Sequence, residues 1–107
     1  MNKPFFSVVI PTYNRAGFVR HAIDSVLQQS FREFEVIVVD DGSTDETGAI
    51  VKSITDPRVK YFRKANGERA SARNFGVDQS QGAYINFLDS DDSQYPHHLQ
   101  TAYDFLT

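Results

Sequence analysis

The chain has 107 residues, of which 40% are hydrophobic and 23% charged, with a net charge of −3 and no cysteine. That length allows one domain at most, burying about 60–70% of the unfolded chain's surface, and the missing cysteines exclude disulfides and thiolate metal sites. A mildly acidic balance gives no electrostatic reason to favour nucleic acid or an anionic membrane, and neither a run of about 18 apolar residues nor a signal-peptide pattern at Met1-Asn2-Lys3-Pro4 is present.

Phe5-Phe6-Ser7-Val8-Val9-Ile10 is a β-branched and aromatic run, and Pro11, which cannot donate to a ladder, is expected to end that strand. Val19, Ala22, Ile23, Val26 and Leu27 then recur at helical period, with Arg20, His21, Asp24 and Gln28 off the stripe. Phe34 to Val39 reads as a second strand, and its consecutive aliphatic residues Val36 to Val39 suit a strand buried on both faces, as in parallel sheets. Ser43 and Glu46 have capping-box spacing, so a helix is expected to start there and to run along Ile50, Val51 and Ile54 until Asp56-Pro57. Val59 to Phe62 makes a short third strand.

Asn66-Gly67 is a turn signal, and Ala70 to Gln79 a helix. Gly76 inside that helix costs about 1 kcal/mol relative to alanine, which points to close packing against a neighbouring backbone. Ala83 to Leu88 forms the fourth strand; after it, Pro96 suits a helix first turn and Leu99, Ala102, Tyr103 and Leu106 supply the last stripe, a helix barely begun when the chain stops. Strands alternating with helices through short connections imply an α/β fold with a mostly parallel sheet and helices on both faces.

The chemistry concentrates at the strands' carboxyl ends. Tyr84 to Leu88 runs into Asp89-Ser90-Asp91-Asp92, which reads as a buried strand delivering three carboxylates within four residues to the open end of the sheet. Carboxylates held at about 4 Å repel by roughly 4 kcal/mol at an effective dielectric near 20. A divalent cation would convert that cost into affinity, and hard oxygen ligands suit magnesium or manganese; the alternative is a solvated acidic turn. Thr12-Tyr13-Asn14 and Asp40-Asp41-Gly42-Ser43 fall at the same edge.

Each of these groups has two readings. Asp40-Asp41 is either a strand-to-helix turn former or an acceptor for a base N–H or ribose hydroxyl. Tyr13 is either a rim aromatic or a stacking platform, and Asn14 either a helix cap or a ligand contact. Arg69 and Arg73, four apart near a helix start, either meet a phosphate or are solvated. His97 and His98 are adjacent, about 100° apart on a helix, and so belong to its surface rather than to one ion. Neither a dinucleotide-binding G-x-G-x-x-G nor a P-loop is present.

Four segments, in order, carry a resemblance: Val8-Val9-Ile10-Pro11-Thr12-Tyr13-Asn14-Arg15, Glu35 through Asp45, Ala72-Arg73-Asn74-Phe75-Gly76, and Gly82 through Asp92. Together they closely resemble the N-terminal nucleotide-sugar-binding half of family 2 glycosyltransferases. The resemblance implies a GT-A fold over residues 4–107, and inverting transfer of a sugar from a nucleotide diphosphate donor, a UDP-sugar being favoured, to an acceptor hydroxyl. It implies that Pro11, Thr12 and Tyr13 line the base pocket, that Asp41 contacts the base, and that Arg73 lies beside base and diphosphate. Asp89-Ser90-Asp91 matches the D-x-D motif, with Asp91 the direct ligand of Mn2+ or Mg2+ and Asp89 toward ribose and metal.

The family's catalytic base and acceptor site come from later sequence, so residues of that kind are expected beyond Thr107, with donor binding but little or no transfer from these 107 residues. The open sheet edge is expected to favour a homo-oligomer. A cytoplasmic location, with membrane association only through further sequence, and a role in cell-surface polysaccharide, glycolipid or glycoprotein synthesis complete the expectation. A non-catalytic nucleotide-binding or interaction module, and a sugar nucleotidyltransferase, are the alternatives. The latter usually carries a glycine-rich basic loop where this chain has Pro11-Thr12-Tyr13-Asn14.

Overall fold

A computed structural model describes residues 3–67, 69–94 and 96–107, with the side chains of Arg69 and Ala70 outside the description. Strands and helices alternate along it: β1 (Phe6–Thr12), α1 (Val19–Leu27), β2 (Phe34–Asp40), α2 (Thr47–Lys52), β3 (Val59–Arg63), α3 (Arg69–Gln79), β4 (Tyr84–Phe87) and α4 (His98–Leu106). The four strands form one parallel sheet in the order β3-β2-β1-β4. The α/β fold expected from the alternation is the one observed.

Because side chains alternate across a strand, β1 and β2 feed two cores. Phe6, Val8, Ile10, Phe34, Val36 and Val38 pack with the α1 stripe Val19, Ala22, Ile23 and Val26, and with Val51 of α2 and Leu99 of α4. Val9, Ile37 and Val39 face the other way, onto Ala72, Phe75 and Phe62. Every residue of β2 is buried, and each full-sized aliphatic side chain so buried contributes about 1.5–3 kcal/mol. A Cβ on Gly76 would lie 2.4 Å from Cγ1 of Val9. Close approach of α3 to the sheet is therefore why glycine stands there, although the neighbour is a side chain and not the expected backbone.

Four expectations are corrected. Pro11 does not end β1, which continues to Thr12 with Pro11 opposite Val39. Val9 accepts from the Leu88 N–H, and the Thr12 carbonyl from the Asp41 N–H; by alternation Pro11 faces the β4 side, where pairing has already stopped at Val9–Phe87. The missing N–H thus costs no ladder bond. Second, the Ser43–Glu46 capping box does not form: α2 starts at Thr47 without a side-chain cap, because Ser43 Oγ is taken by the Asn14 N–H at 2.9 Å.

Third, among the described residues β4 lies at the edge of the sheet rather than buried on both faces, with Tyr84, Ile85 and Phe87 exposed by 43%, 37% and 46%. Fourth, the last helix is more than begun, since α4 spans nine residues, with Leu99 buried and Leu106 exposed. Among the described residues, no helix is long and apolar enough to cross a membrane.

The strand order places the site. From β1 the chain crosses through α1 to β2 and on to β3; α3 then returns over the other face to β4 on the opposite side of β1. The direction of winding reverses at β1, which opens a crevice at the carboxyl ends of β1 and β4.

Candidate functional site

A cleft of about 450 Å³ occupies that crevice. Pro11, Thr12 and Tyr13 from the end of β1, Asp41 from the end of β2, and Asp89, Ser90 and Asp91 from the end of β4 all line it. Parallel strands bring all three loops to one edge, so residues some 80 positions apart in the chain meet there. Pro11 fixes the backbone at the last register position before β1 ends at Thr12, and Tyr13, 44% exposed, stands at the rim. Thr12 is buried, and its Oγ1 has no hydrogen-bond partner.

The paired aspartates at the end of β2 have separate jobs. Asp40 is fully buried; its Oδ1 accepts from the Ser43 N–H at 2.8 Å and its Oδ2 from the Tyr61 hydroxyl at 2.5 Å, with Arg63 3.6 Å away. One oxygen anchors the turn after β2 and the other ties Asp40 to Tyr61 of β3. Burial, followed by donation to Asp40, pushes the Tyr61 hydroxyl up from its ordinary value. Asp41 points to the cleft side: Lys64 Nζ at 2.7 Å and the Gly67 N–H at 3.0 Å both donate to its Oδ1. Asp41 thus keeps acceptor capacity where Asp40 has spent it.

Asn14 is neither helix cap nor cleft residue. With φ 50 it turns the chain out of β1, and its Oδ1 accepts from the Thr44 N–H at 2.8 Å, tying together the loops after β1 and β2. Asp45 braces the same junction. Its Oδ1 accepts from the Thr47 hydroxyl and N–H, which together hold its carboxyl below the usual range.

The acidic loop is open rather than caged. Asp89, Asp91 and Asp92 are exposed, while Ser90 between them is buried. Asp92 forms a turn instead of entering the cleft: its N–H donates to the Asp89 carbonyl and its Oδ1 accepts from the Ser93 N–H. Among the described residues no three acidic, histidine or cysteine side chains converge into a preformed metal cage, so the expected trio of crowded carboxylates reduces to Asp89 and Asp91. Two carboxylates still fit a hard cation that fills its shell with water and diphosphate oxygens, as magnesium commonly does.

Arg73 stands behind the loop and does not line the cleft. Its Nη2 is 3.9 Å from Asp89 Oδ1, its guanidinium lies 5.5 Å from the Phe87 ring centre, and its buried Nε has no partner. Arg69 opens α3, and its side chain lies outside the described residues. His97 and His98 are exposed and point to separate partners, Ser30 and Asn86.

Arg15, Asn66, Gly67 and Ala72 also line the cleft. Asn66-Gly67 reads in sequence as a turn; the available signal is that it follows a parallel strand, whose carboxyl end must reach the same edge.

Residues 7–107 match the family described as Glycosyl transferase family 2. The chain belongs to that family. An uncharacterized glycosyltransferase of Rickettsia bellii is 46% identical over 101 residues, 94% of this chain and 15% of that protein. The crystal structure of S. aureus TarS 1–349 in complex with UDP-GlcNAc superposes with a TM-score of 0.89 at 37% identity, covering 94% of this chain and 30% of that one. The mannosyltransferase PcManGT from Pyrobaculum calidifontis, in complex with GDP-Man and Mn2+, superposes at 0.88 with 26% identity, covering 99% and 33%. The chain therefore has the GT-A-type α/β architecture of family 2 glycosyltransferases, and it spans well under half the length of these relatives.

Proposed function

We propose that residues 4–107 form the donor-binding part of an inverting family 2 glycosyltransferase, which takes a sugar from a nucleotide diphosphate, preferably a UDP-sugar, to an acceptor hydroxyl. The observation that carries this reading is the single cleft into which β1, β2 and β4 deliver Pro11, Thr12, Tyr13, Asp41, Asp89, Ser90 and Asp91. Tyr13 offers a face for base stacking, Asp41 accepts from the base, and Ser90 and Asp89 flank the ribose and diphosphate. Arg73 holds Asp89 from behind and adds positive charge on the diphosphate side.

Asp91 and Asp89 would hold a divalent cation, Mn2+ or Mg2+, which supplies charge neutralisation for the departing diphosphate. The relative solved in complex with GDP-Man and Mn2+ supports that assignment. The acceptor hydroxyl needs a carboxylate base on the opposite face of the sugar, and no residue of this chain is assigned that role. The proposed setting is the cytoplasm, with membrane association only through further sequence, in cell-surface polysaccharide, glycolipid or glycoprotein synthesis.

Calorimetry with UDP tests the reading with and without Mn2+, and with Asp91→Ala. Metal-dependent binding that the substitution abolishes is expected, with GDP and TDP ranking the base. Binding that is equal with and without Mn2+, or absent for all three nucleotides, would contradict it.

A further inference from the structure

The loop following β3 is bound to the end of β2 more tightly than a surface turn requires. The Lys64 N–H donates to the Asp40 carbonyl at 2.9 Å, Asn66 Nδ2 to the Asp41 carbonyl at 2.9 Å, and Lys64 Nζ and the Gly67 N–H to Asp41 Oδ1 at 2.7 and 3.0 Å. The receiving backbone is shaped for this contact: Gly42 has φ +78, and a Cβ there would lie 2.8 Å from the Asn66 nitrogen. Asn66 and Gly67 line the cleft with Asp41, whereas Lys64 does not. The Lys64 and Asp41 side chains are only 16% and 11% exposed, which sets this pair apart from an ordinary surface ion pair.

Two donors on one oxygen have a chemical consequence. A carboxylate free to rotate can turn either oxygen, or neither, toward a ligand. One whose Oδ1 is held by an ammonium and a backbone N–H keeps its second oxygen in a fixed place as an acceptor. A fixed acceptor rewards a base that presents a ring N–H and rejects one that presents a bare ring nitrogen, whose lone pair would face the carboxylate and leave it unpaired. Uracil and cytosine differ in this way at ring position 3 while sharing size and stacking surface.

We propose that Lys64, with Asn66 and Gly67, is a positioning device that sets base selectivity: by clamping Asp41 through Oδ1 and its carbonyl, it selects nucleoside diphosphates whose base carries a ring N–H. This inference rests on the donor-binding reading above and deepens it. Lys64 acts through Asp41, so its removal moves discrimination between bases and not only overall affinity.

The test is titration of the full 107-residue chain with UDP and with CDP, each in Mn2+, for the wild type, Lys64→Met, Lys64→Arg and Asn66→Ala, with thermal unfolding of each variant as the check on folding. The wild type is expected to prefer UDP by about tenfold or more, since sites built around a hydrogen bond discriminate strongly against its absence. Lys64→Met is expected to bring that ratio to within about threefold of unity, Lys64→Arg to restore part of it, and Asn66→Ala to lower it by a smaller factor. Loss of UDP and CDP affinity by equal factors in Lys64→Met overturns the proposal, as does an unchanged ratio. Should Lys64→Met fail to fold, an unchanged ratio in Asn66→Ala overturns it. A wild-type ratio near one overturns this inference and leaves the donor site standing, whereas folded wild type that binds neither nucleotide overturns both.

Discussion

The two ends of β2 each carry a carboxylate into the sheet's surroundings, and they use it in opposite ways. At the amino end Glu35 is buried; its Oε2 accepts from Ser7 Oγ at 2.6 Å and the Gln81 N–H at 2.6 Å, and its Oε1 from Lys60 Nζ at 2.7 Å. Ser7 Oγ in turn accepts from the Gly82 N–H at 2.8 Å, so the α3–β4 connection is tied to the strands beneath it. At the carboxyl end Asp41 is held through Oδ1 and lines a cleft, and Asp89 and Asp91 stand nearly free. A carboxylate with every oxygen engaged closes one end of the sheet; partly engaged carboxylates leave the other end able to bind.

Breaking the closed end should have the largest effect. Burial raises the Glu35 carboxyl, but hydrogen bonds from Lys60, Ser7 and Gln81 outweigh it and hold the group below its ordinary value of 4.5. Glu35→Ala strands three donors and is expected to cost about 2–4 kcal/mol in urea unfolding, toward the lower end because Lys60 is partly exposed. UDP binding per folded molecule should not change. A folded value below the unfolded one means that this stability is present above pH 4.5 and is lost as pH falls through the lowered value. The wild-type stability curve should therefore drop below about pH 4.5 more steeply than that of Glu35→Gln, and parallel curves would show that the network is not coupled to protonation.

Much of this contrast is legible in the chain, and the illegible parts share a cause. Periodicity suffices for α1, where Val19, Ala22, Ile23 and Val26 are the buried stripe, and for β2, whose aliphatic run is buried on both faces. Asp89 and Asp91 at one edge with Tyr13 and Asp41 follow from parallel strands. What escapes local reading depends on partners remote in sequence. Ser43 and Glu46 have the spacing of a capping box, yet Asn14, 29 residues earlier, takes the serine hydroxyl. Pro11 reads as a stop until the end of β4 shows that its missing N–H has nothing to pair with. Tyr84 to Phe87 is apolar enough for a core strand, but neighbours on both sides are a property of sheet order, which alternation alone does not reveal. Asp40 and Asp41 differ by the face their side chains take, and the partners that separate them, Tyr61 on Asp40 and Lys64 and Gly67 on Asp41, lie 21 to 26 residues on.

That distinction can be sharpened at Tyr61. Replacing it with Phe removes the donor to Asp40 Oδ2 and leaves a fully buried oxygen with Arg63 at 3.6 Å as its remaining described partner. The expected loss is about 1–2 kcal/mol, the usual consequence of leaving a buried acceptor short of a donor. Because Asp40 Oδ1 still receives the Ser43 N–H, the turn keeps its anchor, and the effect on UDP binding should stay within about threefold. A larger loss of binding than of stability would mean that Asp40 belongs to the binding machinery and not to the turn alone.

The smallest stability effect is expected where the effect on function is greatest. Asp91 is exposed, and neighbouring Asp89 has only Arg73 at 3.9 Å, with both of those side chains well solvated. Exposed pairs of that kind contribute about 0–1 kcal/mol, and an exposed carboxylate beside others contributes mild repulsion. Asp91→Ala should therefore change unfolding free energy by no more than about 0.5 kcal/mol, in the stabilising direction if repulsion prevails. The same substitution should remove metal-dependent nucleotide binding. A destabilisation of about 2 kcal/mol or more would place Asp91 with Glu35 among the residues that hold the sheet together, and the distinction between the two ends would fail. Stability kept while binding is lost means that the open end holds its carboxylates at a small standing electrostatic cost. On the proposed donor-binding reading, that cost would be relieved when a cation and a diphosphate arrive together.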